Sequence, residues 1–293
     1  MGESAVTLLP RLSAITPRYD ALILDLWGVV HDGVAAYPWA GETLARMKQA
    51  GLRLAALSNA PRRVGRVVAH MEAMGIPTRL LDVVHSSGEA TFGALSEPVR
   101  HGLGTHGVRY CFHIGIPEDG ELADEAGLRR VATPERADVV LCTGTIEPGE
   151  TLEDHHAILQ RCLARGLPMV CANPDLRVMH GPGWKLCAGA IATWYQEQGG
   201  TVHWFGKPHA PVYRRCLDEL GCPPERVLAV GDSFRTDVAG AHAAGLDAVL
   251  VAAGLNAERL LPHGDDVIDA GALEALAARH GHRPEYAIAR FVW

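Results

Sequence analysis

The chain has 293 residues, 48% of them hydrophobic, which is enough material for two domains with buried cores. Its formal net charge of -7 gives no electrostatic footprint for nucleic acid, so we expect no nucleic-acid partner. No apolar run reaches membrane-spanning length, so we expect no membrane association. The first ten residues contain no basic region before an apolar run, so we expect no secretory signal. The seven cysteines include no CxxC pair, which favours a reduced, cytoplasmic protein.

The first third of the chain alternates strand and helix signals. The segments ALILDL and LRLAALSN are short apolar runs typical of strands that are covered on both faces. Between residues 61 and 75, apolar side chains recur at helical spacing, with Pro61 near the start and Gly75 at the end. This part of the chain therefore predicts a strand, a second strand and a helix.

The remainder continues the same alternation. Strands are predicted for VRYCFHIG, ADVVLCTG and LPMVCAN, and helices for KLCAGAIATWYQEQGG and APVYRRCLDELG. The segment TLEDHHAILQRCLARG predicts a helix that begins with a capping box formed by Thr151 and Asp154. Residues 226–254 predict a strand, a helix and a strand. Repeated βα units of this kind indicate parallel sheets with right-handed crossovers.

Polar residues stand directly after several of the predicted strands. Because parallel sheets bind ligands beyond the carboxyl ends of their strands, these residues are the candidates for a site. They are Asp25, Ser58, Asn59, Lys207 and Asp232, with Asp237 one helical turn further on. A cluster of three aspartates is costly unless a hard cation and a lysine neutralise it, and oxygen ligands suit Mg²⁺.

Four segments occur in an order that resembles a known family. DLWGVVHDG, LSNAP, GKP and GDSFRTD resemble the four motifs of the haloacid dehalogenase superfamily. VVHSSGEAT, ANPD and FGKPHAPVY resemble its class IIA branch, the NagD-like sugar phosphatases, so the resemblance extends over residues 20–255. It implies an α/β fold, with a Rossmann-like core containing a parallel sheet and an inserted α/β cap domain of the C2 type. The expected divisions are core residues 1–88, cap residues 89–178 and core residues 179–293.

The resemblance also implies roles for the candidate residues. Asp25 would be the catalytic nucleophile, and Ser58 and Asn59 would bind the substrate phosphate. Lys207 would neutralise the nucleophile and the phosphate. Asp25, the backbone carbonyl of Trp27 and Asp232 would be Mg²⁺ ligands, and Asp237 would bind the ion directly or through water. The implied chemistry is hydrolysis of a phosphomonoester through an aspartyl-phosphate intermediate, with a small phosphorylated metabolite such as a sugar phosphate as the substrate.

Trp27 departs from the family pattern. Phosphatases of this superfamily usually carry a second aspartate at that position as general acid and base, and an indole ring cannot transfer a proton. His31 and Asp32 follow within the same loop and are candidate substitutes, since a histidine titrates near neutral pH. The alternative for both residues is a polar turn before Gly33.

Two functions remain open from the sequence. The first is a Mg²⁺-dependent phosphatase. The second, favoured by Trp27, is a catalytically impaired protein that binds a phosphorylated ligand. The apolar C-terminal tail is expected to dock either on the core or on a second subunit, which would make a homodimer. A GxGxxG pattern at residues 102–107 precedes a predicted strand instead of following one, so a loop is preferred there over a dinucleotide site.

Overall fold

The computed structural model describes residues 5–98, 101–103, 107–147, 149–180, 183–264 and 266–293. Part of the GxGxxG pattern, residues 104–106, lies outside the described residues. The chain forms two compact units. The core unit comprises the residues up to Ser58, Val68–His85 and Lys207–Trp293, and the inserted unit comprises Asn59–Val67 and Ser86–Gly206.

The regular elements alternate much as the sequence predicts. The strands in the described part of the chain are β1 (Thr7–Leu9), β2 (Ala21–Leu24), β3 (Arg53–Ser58), β4 (Val83–Ser86), β5 (Tyr110–Ile114), β6 (Arg129–Val131), β7 (Val139–Cys142), β8 (Met169–Cys171), β9 (Arg177–His180), β10 (Gly183–Leu186), β11 (Val202–Trp204), β12 (Val227–Gly231), β13 (Asp247–Val251) and β14 (Tyr286–Ile288).

The α-helices in the same residues are α1 (Ala40–Gln49), α2 (Val64–Ala73), α3 (Ser87–Ser96), α4 (Glu121–Glu125), α5 (Leu152–Ala164), α6 (Ala188–Glu197), α7 (Ala210–Leu220), α8 (Ala239–Ala243), α9 (Ala257–Leu260) and α10 (Ala270–His280). The helix predicted with a capping box is α5. Asp154 accepts hydrogen bonds from both the backbone N–H and the hydroxyl of Thr151. Among the described residues, no helix is both long enough and apolar enough to cross a membrane.

A seven-stranded sheet in the order β1-β14-β13-β12-β2-β3-β4 forms the centre of the core unit. Strand β2 pairs in parallel with both β3 and β12 and is buried along its whole length, which explains its continuous apolar sequence. The chain runs from β2 toward β4 on one side and from β12 toward β14 on the other. The topological switch point therefore lies between β2 and β12, where an open parallel sheet binds its ligands.

The inserted unit contains a parallel sheet in the order β11-β8-β7-β5-β6 and an antiparallel hairpin of β9 and β10. This unit continues to Gly206, whereas the sequence placed the end of the inserted domain at residue 178. The physical reason is a long-range pairing. Strand β11 hydrogen-bonds to β8. Side chains of β8, α6 and β11 pack together in one hydrophobic cluster, so residues 179–206 complete this unit.

The C-terminal tail packs on the core unit of its own chain. The side chain of Phe291 is 0% exposed, and its carbonyl accepts a hydrogen bond from the Thr43 hydroxyl. The backbone N–H of Leu12 donates to the carbonyl of Val292. Of the two docking sites expected for the tail, the structure shows the one on the core.

Candidate active site

Three aspartates converge at the switch point of the core sheet. Asp25 directly follows β2, Asp232 directly follows β12, and Asp237 lies in a π-helical turn, Phe234–Val238. All three are buried, and one carboxylate oxygen from each lies within 4.8 Å of the others. The carboxyl ends of two adjacent parallel strands therefore bring together the acidic residues that the sequence predicted as a cluster.

Lys207 lies among these carboxylates. Its ammonium group donates to Asp25 Oδ1 at 2.6 Å and to Asp237 Oδ1 at 2.7 Å, and the side chain is 3% exposed. One lysine can compensate one of the three negative charges. Since buried like charges repel strongly in a low-dielectric interior, the ionised cluster favours a further cation.

Glycines allow Asp232 to enter this crowded space. A Cβ atom at Gly28 would lie 1.9 Å from Asp232 Oδ2, and one at Gly254 would lie 2.1 Å from the same atom. The backbone N–H of Leu255 donates to Asp232 Oδ2 at 2.7 Å. Burial, and then the charges of Asp25 and Asp237, raise the pKa of Asp232 well above its usual value. The carboxyl group therefore holds its proton more tightly than an exposed aspartate.

Backbone contacts fix the position of Asp237. The N–H of Ser233 donates to Asp237 Oδ2 at 3.1 Å, and a Cβ atom at Gly231 would lie 2.1 Å from Asp237 Cγ. The hydroxyl of Tyr213 donates to the carbonyl oxygens of Thr236 and Asp237 at 3.3 and 3.2 Å. Sequence reasoning missed Tyr213 and these glycines, although Gly231, the first residue of the GDS segment, was a visible signal.

The cluster has the chemistry of a site for a hard divalent cation. Its three carboxylates offer oxygen ligands, which Mg²⁺ prefers at roughly 2.1 Å, and spacings below 4.8 Å are close to twice that distance. Lys207 leaves two formal negative charges uncompensated when all three aspartates are ionised. The residues therefore fit Mg²⁺ in both ligand type and charge.

Ser58 and Asn59 occupy different environments. Ser58 is the buried last residue of β3, the strand that neighbours β2, so it lies at the same edge of the core sheet as Asp25. Asn59 begins the inserted unit, and its amide donates to Asp175 Oδ1 at 3.0 Å. Asp175 belongs to the ANPD segment, so the amide of Asn59 contributes to the packing of the inserted unit.

The indole ring of Trp27 is held within its own loop. A Cβ atom at Gly33 would lie 2.1 Å from Trp27 Cζ2, so the ring packs directly on the glycine backbone. The His31 ring meets the indole edge-on, with the ring centroids 5.6 Å apart. Gly33 has a φ of 89°, a conformation that favours glycine. Its lack of a side chain also leaves room for the indole ring of Trp27.

His31 and Asp32 both build the turn that the sequence left open as an alternative. His31 is 4% exposed, and its Nδ1 accepts from the backbone N–H of Gly33 at 3.0 Å. Burial lowers the pKa of His31 to about 4, so the ring is neutral at pH 7. Asp32 Oδ1 accepts from the N–H groups of Val34 and Ala35, and these bonds lower the pKa of Asp32.

Comparison with known proteins gives matches over most of the chain. A family model described as haloacid dehalogenase-like hydrolase matches residues 22–129, and one described as HAD-hydrolase-like matches residues 204–286. The crystal structure of a haloacid dehalogenase-like hydrolase from Brucella suis 1330 is 34% identical, with a TM-score of 0.82. That match covers 97% of this chain and 100% of the other.

Two further relatives are phosphatases by name. The ribonucleotide monophosphatase NagD of Escherichia coli strain K12 is 28% identical over 243 residues, covering 80% of this chain and 88% of its own length. The p-nitrophenyl phosphatase of Archaeoglobus fulgidus is 24% identical with a TM-score of 0.68, covering 94% of this chain and 97% of its own. The second likeness shows the fold alone.

Proposed function

Because the chain belongs to the haloacid dehalogenase-like hydrolase family, we propose that it is a Mg²⁺-dependent phosphatase of small phosphorylated metabolites. The observation that carries this proposal is the position of Lys207. Its ammonium group bridges Asp25 and Asp237 beside Asp232, at the switch point of the core sheet. A carboxylate can attack a phosphate group when the negative charges around both are screened.

In this proposal Asp25 is the nucleophile. Its carboxylate displaces the leaving group from phosphorus and forms an aspartyl-phosphate, which water then hydrolyses. Asp25, Asp232 and Asp237, with the backbone carbonyl of Trp27, would hold Mg²⁺. When bound, this ion supplies positive charge that offsets the repulsion between the carboxylates and the phosphate.

The other candidate residues act on the phosphoryl group. Lys207 neutralises Asp25 in the resting site and can turn a donor toward a phosphate oxygen. Ser58 stands at the same sheet edge and can donate its hydroxyl proton in a hydrogen bond to the phosphoryl group. Asn59, whose amide donates to Asp175, is the further residue proposed to bind the substrate.

The relatives support a small substrate. They include the ribonucleotide monophosphatase NagD and an acid sugar phosphatase from Staphylococcus epidermidis, to which this chain is 24% identical over 245 residues. The proposal covers small phosphorylated metabolites as a class, of which a sugar phosphate is the example expected from the sequence. All seven cysteines are free and buried, which supports a reducing compartment such as the cytoplasm. A homodimer stays a prediction from the sequence.

The test compares two aspartates at opposite ends of β2. Asp25→Asn should abolish Mg²⁺-dependent hydrolysis of p-nitrophenyl phosphate. Asp20→Asn should preserve it, since Asp20 precedes the strand and forms an exposed ion pair with Arg226. Turnover by Asp25→Asn near the wild-type rate, or full wild-type turnover in EDTA, would refute the proposal.

Trp27 favours a second candidate function, a protein that binds a phosphorylated ligand without hydrolysing it. Its ring occupies the loop position where the family places an acid, and it is fixed there by Gly33 and His31. Calorimetric binding of a phosphate ester with Mg²⁺, together with no release of inorganic phosphate, would establish this function over the first.

A further inference from the structure

This inference rests on the proposed function and narrows its substrate class. We propose that the chain acts on phosphoryl donors whose leaving group departs without a proton. Acyl phosphates are the main class, and alkyl phosphate esters such as sugar or glycerol phosphates are poor substrates. The basis is the way the loop that follows β2, residues 26–39, uses its ionisable side chains.

The leaving group decides whether an acid is needed. A carboxylic acid has a pKa of about 4 and a phenol one of about 10, so their anions leave readily. An aliphatic alcohol is roughly as weak an acid as water, whose pKa is about 16, so it leaves slowly unless a side chain protonates it. Such general acid catalysis is worth about 10²–10⁴ in rate.

The loop contains three ionisable side chains, His31, Asp32 and Tyr37. The ring of His31 is 4% exposed and meets the rings of Trp27 and His70 edge-on, at centroid distances of 5.6 and 6.1 Å. Its Nδ1 accepts from the backbone N–H of Gly33. Because Nδ1 is an acceptor, the ring is neutral and carries its proton on Nε2. A neutral imidazole gives up its proton far less readily than an imidazolium, so His31 packs the loop and is a poor acid for an alcohol.

Asp32 and Tyr37 are also committed to the loop. Asp32 Oδ1 accepts two backbone hydrogen bonds, and these bonds favour the ionised carboxylate, which has no proton to donate. The Tyr37 ring stacks on Trp39, with the centroids 5.4 Å apart and the planes 7° from parallel. Burial raises the pKa of Tyr37 to about 12, so its hydroxyl gives up a proton less readily than an ordinary tyrosine.

Two residues after Asp25 the loop carries Trp27, whose indole cannot transfer a proton. Packing on Gly33 fixes that ring, and Lys207 directs two of its N–H donors at Asp25 and Asp237. The loop and the charged cluster thus provide a nucleophile and charge compensation, while the loop presents no acid for an alcohol.

The two chemical steps then balance without an enzyme acid. In the first, a carboxylate oxygen of Asp25 bonds to phosphorus. The bond from phosphorus to the acyl oxygen breaks, both electrons stay on that oxygen, and the product leaves as a carboxylate. In the second, a water oxygen bonds to phosphorus and the bond to Asp25 breaks. One water hydrogen remains on the new hydroxyl of the phosphate and the other moves to a phosphoryl oxygen.

The test is a leaving-group series measured with Mg²⁺. Acetyl phosphate, p-nitrophenyl phosphate, phenyl phosphate and glycerol phosphate are compared by kcat/KM, which reports the first step even when hydrolysis of the intermediate limits kcat. Background hydrolysis is taken from Asp25→Asn. We expect kcat/KM to fall in that order, by about 10²–10⁴ from acetyl phosphate to glycerol phosphate.

Two results would overturn the inference while leaving the proposed phosphatase intact. One is a kcat/KM for glycerol phosphate within about tenfold of that for acetyl phosphate, since that shows a working acid. The other is a selective loss of glycerol phosphate turnover in Tyr37→Phe or Asp32→Asn, which would identify the acid. Asn keeps the oxygen that accepts from Val34 and Ala35. Absence of Asp25-dependent turnover for the whole series would refute the proposed function itself.

Discussion

Replacing Lys207 with methionine should strongly destabilise the core unit at neutral pH. The substitution keeps an unbranched side chain of similar length in a site that is 3% exposed, but it removes the charge that contacts Asp25 and Asp237. Three aspartates would then share a buried space without a compensating cation. The expected loss is electrostatic, because little packing volume changes.

The spacing of the carboxylates sets the size of the effect. Two like charges at most 4.8 Å apart repel by at least about 3 kcal/mol if the effective dielectric constant is roughly 20. Removing one partner of a buried ion pair typically costs about 3–5 kcal/mol. We expect Lys207→Met to lower the free energy of unfolding by about 3–5 kcal/mol at pH 7.5 in EDTA.

Acid should reduce this loss. The pKa of Asp232 is raised in the folded protein, so the stability that comes from its protonated form is present at low pH and is lost as the pH rises through that pKa. Lowering the pH toward 5 supplies the proton that removes one of the three charges. The difference between wild type and Lys207→Met should therefore be smaller at pH 5 than at pH 7.5.

Urea unfolding measures the effect, with the midpoint compared at an unchanged m-value. Lys48→Met is the matched control. Lys48 forms an ion pair with Asp82 at 2.7 Å on the surface, and such pairs contribute about 0–1 kcal/mol. If Lys207→Met costs no more than Lys48→Met at pH 7.5 in EDTA, the electrostatic account of the cluster is wrong.

Three further outcomes are expected. Mg²⁺ at about 100 times its Kd should stabilise the wild type by about 2.7 kcal/mol, and calorimetry should show most of this gain lost in Asp232→Asn. Gly33→Ala should cost about 1–3 kcal/mol more than Gly51→Ala, which shares the positive φ but has nothing within 4 Å; equal urea midpoints would refute the Trp27 contact. Because folded His31 resists protonation, it should account for about 2 kcal/mol of the stability that wild type loses between pH 7.5 and 5. The variant His31→Gln should therefore lose about 2 kcal/mol less over the same pH range. If the stability of His31→Gln depends on pH in the same way as that of wild type, the expectation for His31 is wrong.

The charged cluster could be predicted from the sequence because its members follow apolar strands. Asp25 and Asp232 each come directly after a run that is buried on both faces, and parallel strands present their carboxyl ends at one edge. Lysine occurs only at positions 48, 185 and 207, and Lys207 is the one that stands among the polar residues after predicted strands. Local patterns and one topological rule were sufficient for this part of the site.

Other features depended on long-range packing and could not be predicted in the same way. The partner of β11 is β8, and no local pattern in residues 202–204 indicates which sheet this strand joins. The π-helical turn that presents Asp237 depends on contacts with Tyr213, a residue of a different helix. The side-chain type of His31 suggested a proton donor, and only its packing against Trp27 and His70 shows that it stabilises the loop.

The strand order of the core sheet has a consequence for synthesis. Strand β2 lies beside β12, and Thr7 of β1 pairs with Tyr286 of β14, so the core sheet combines the first and last parts of the chain. At about 5–20 residues per second, a ribosome needs on the order of 15–60 s to translate the chain from Thr7 to Tyr286. The inserted unit is translated as one nearly continuous stretch and can fold during that interval. The apolar β2 segment, with the nucleophile at its end, waits for its second neighbour until β12 has emerged, so early release of the chain would leave this segment exposed to aggregation.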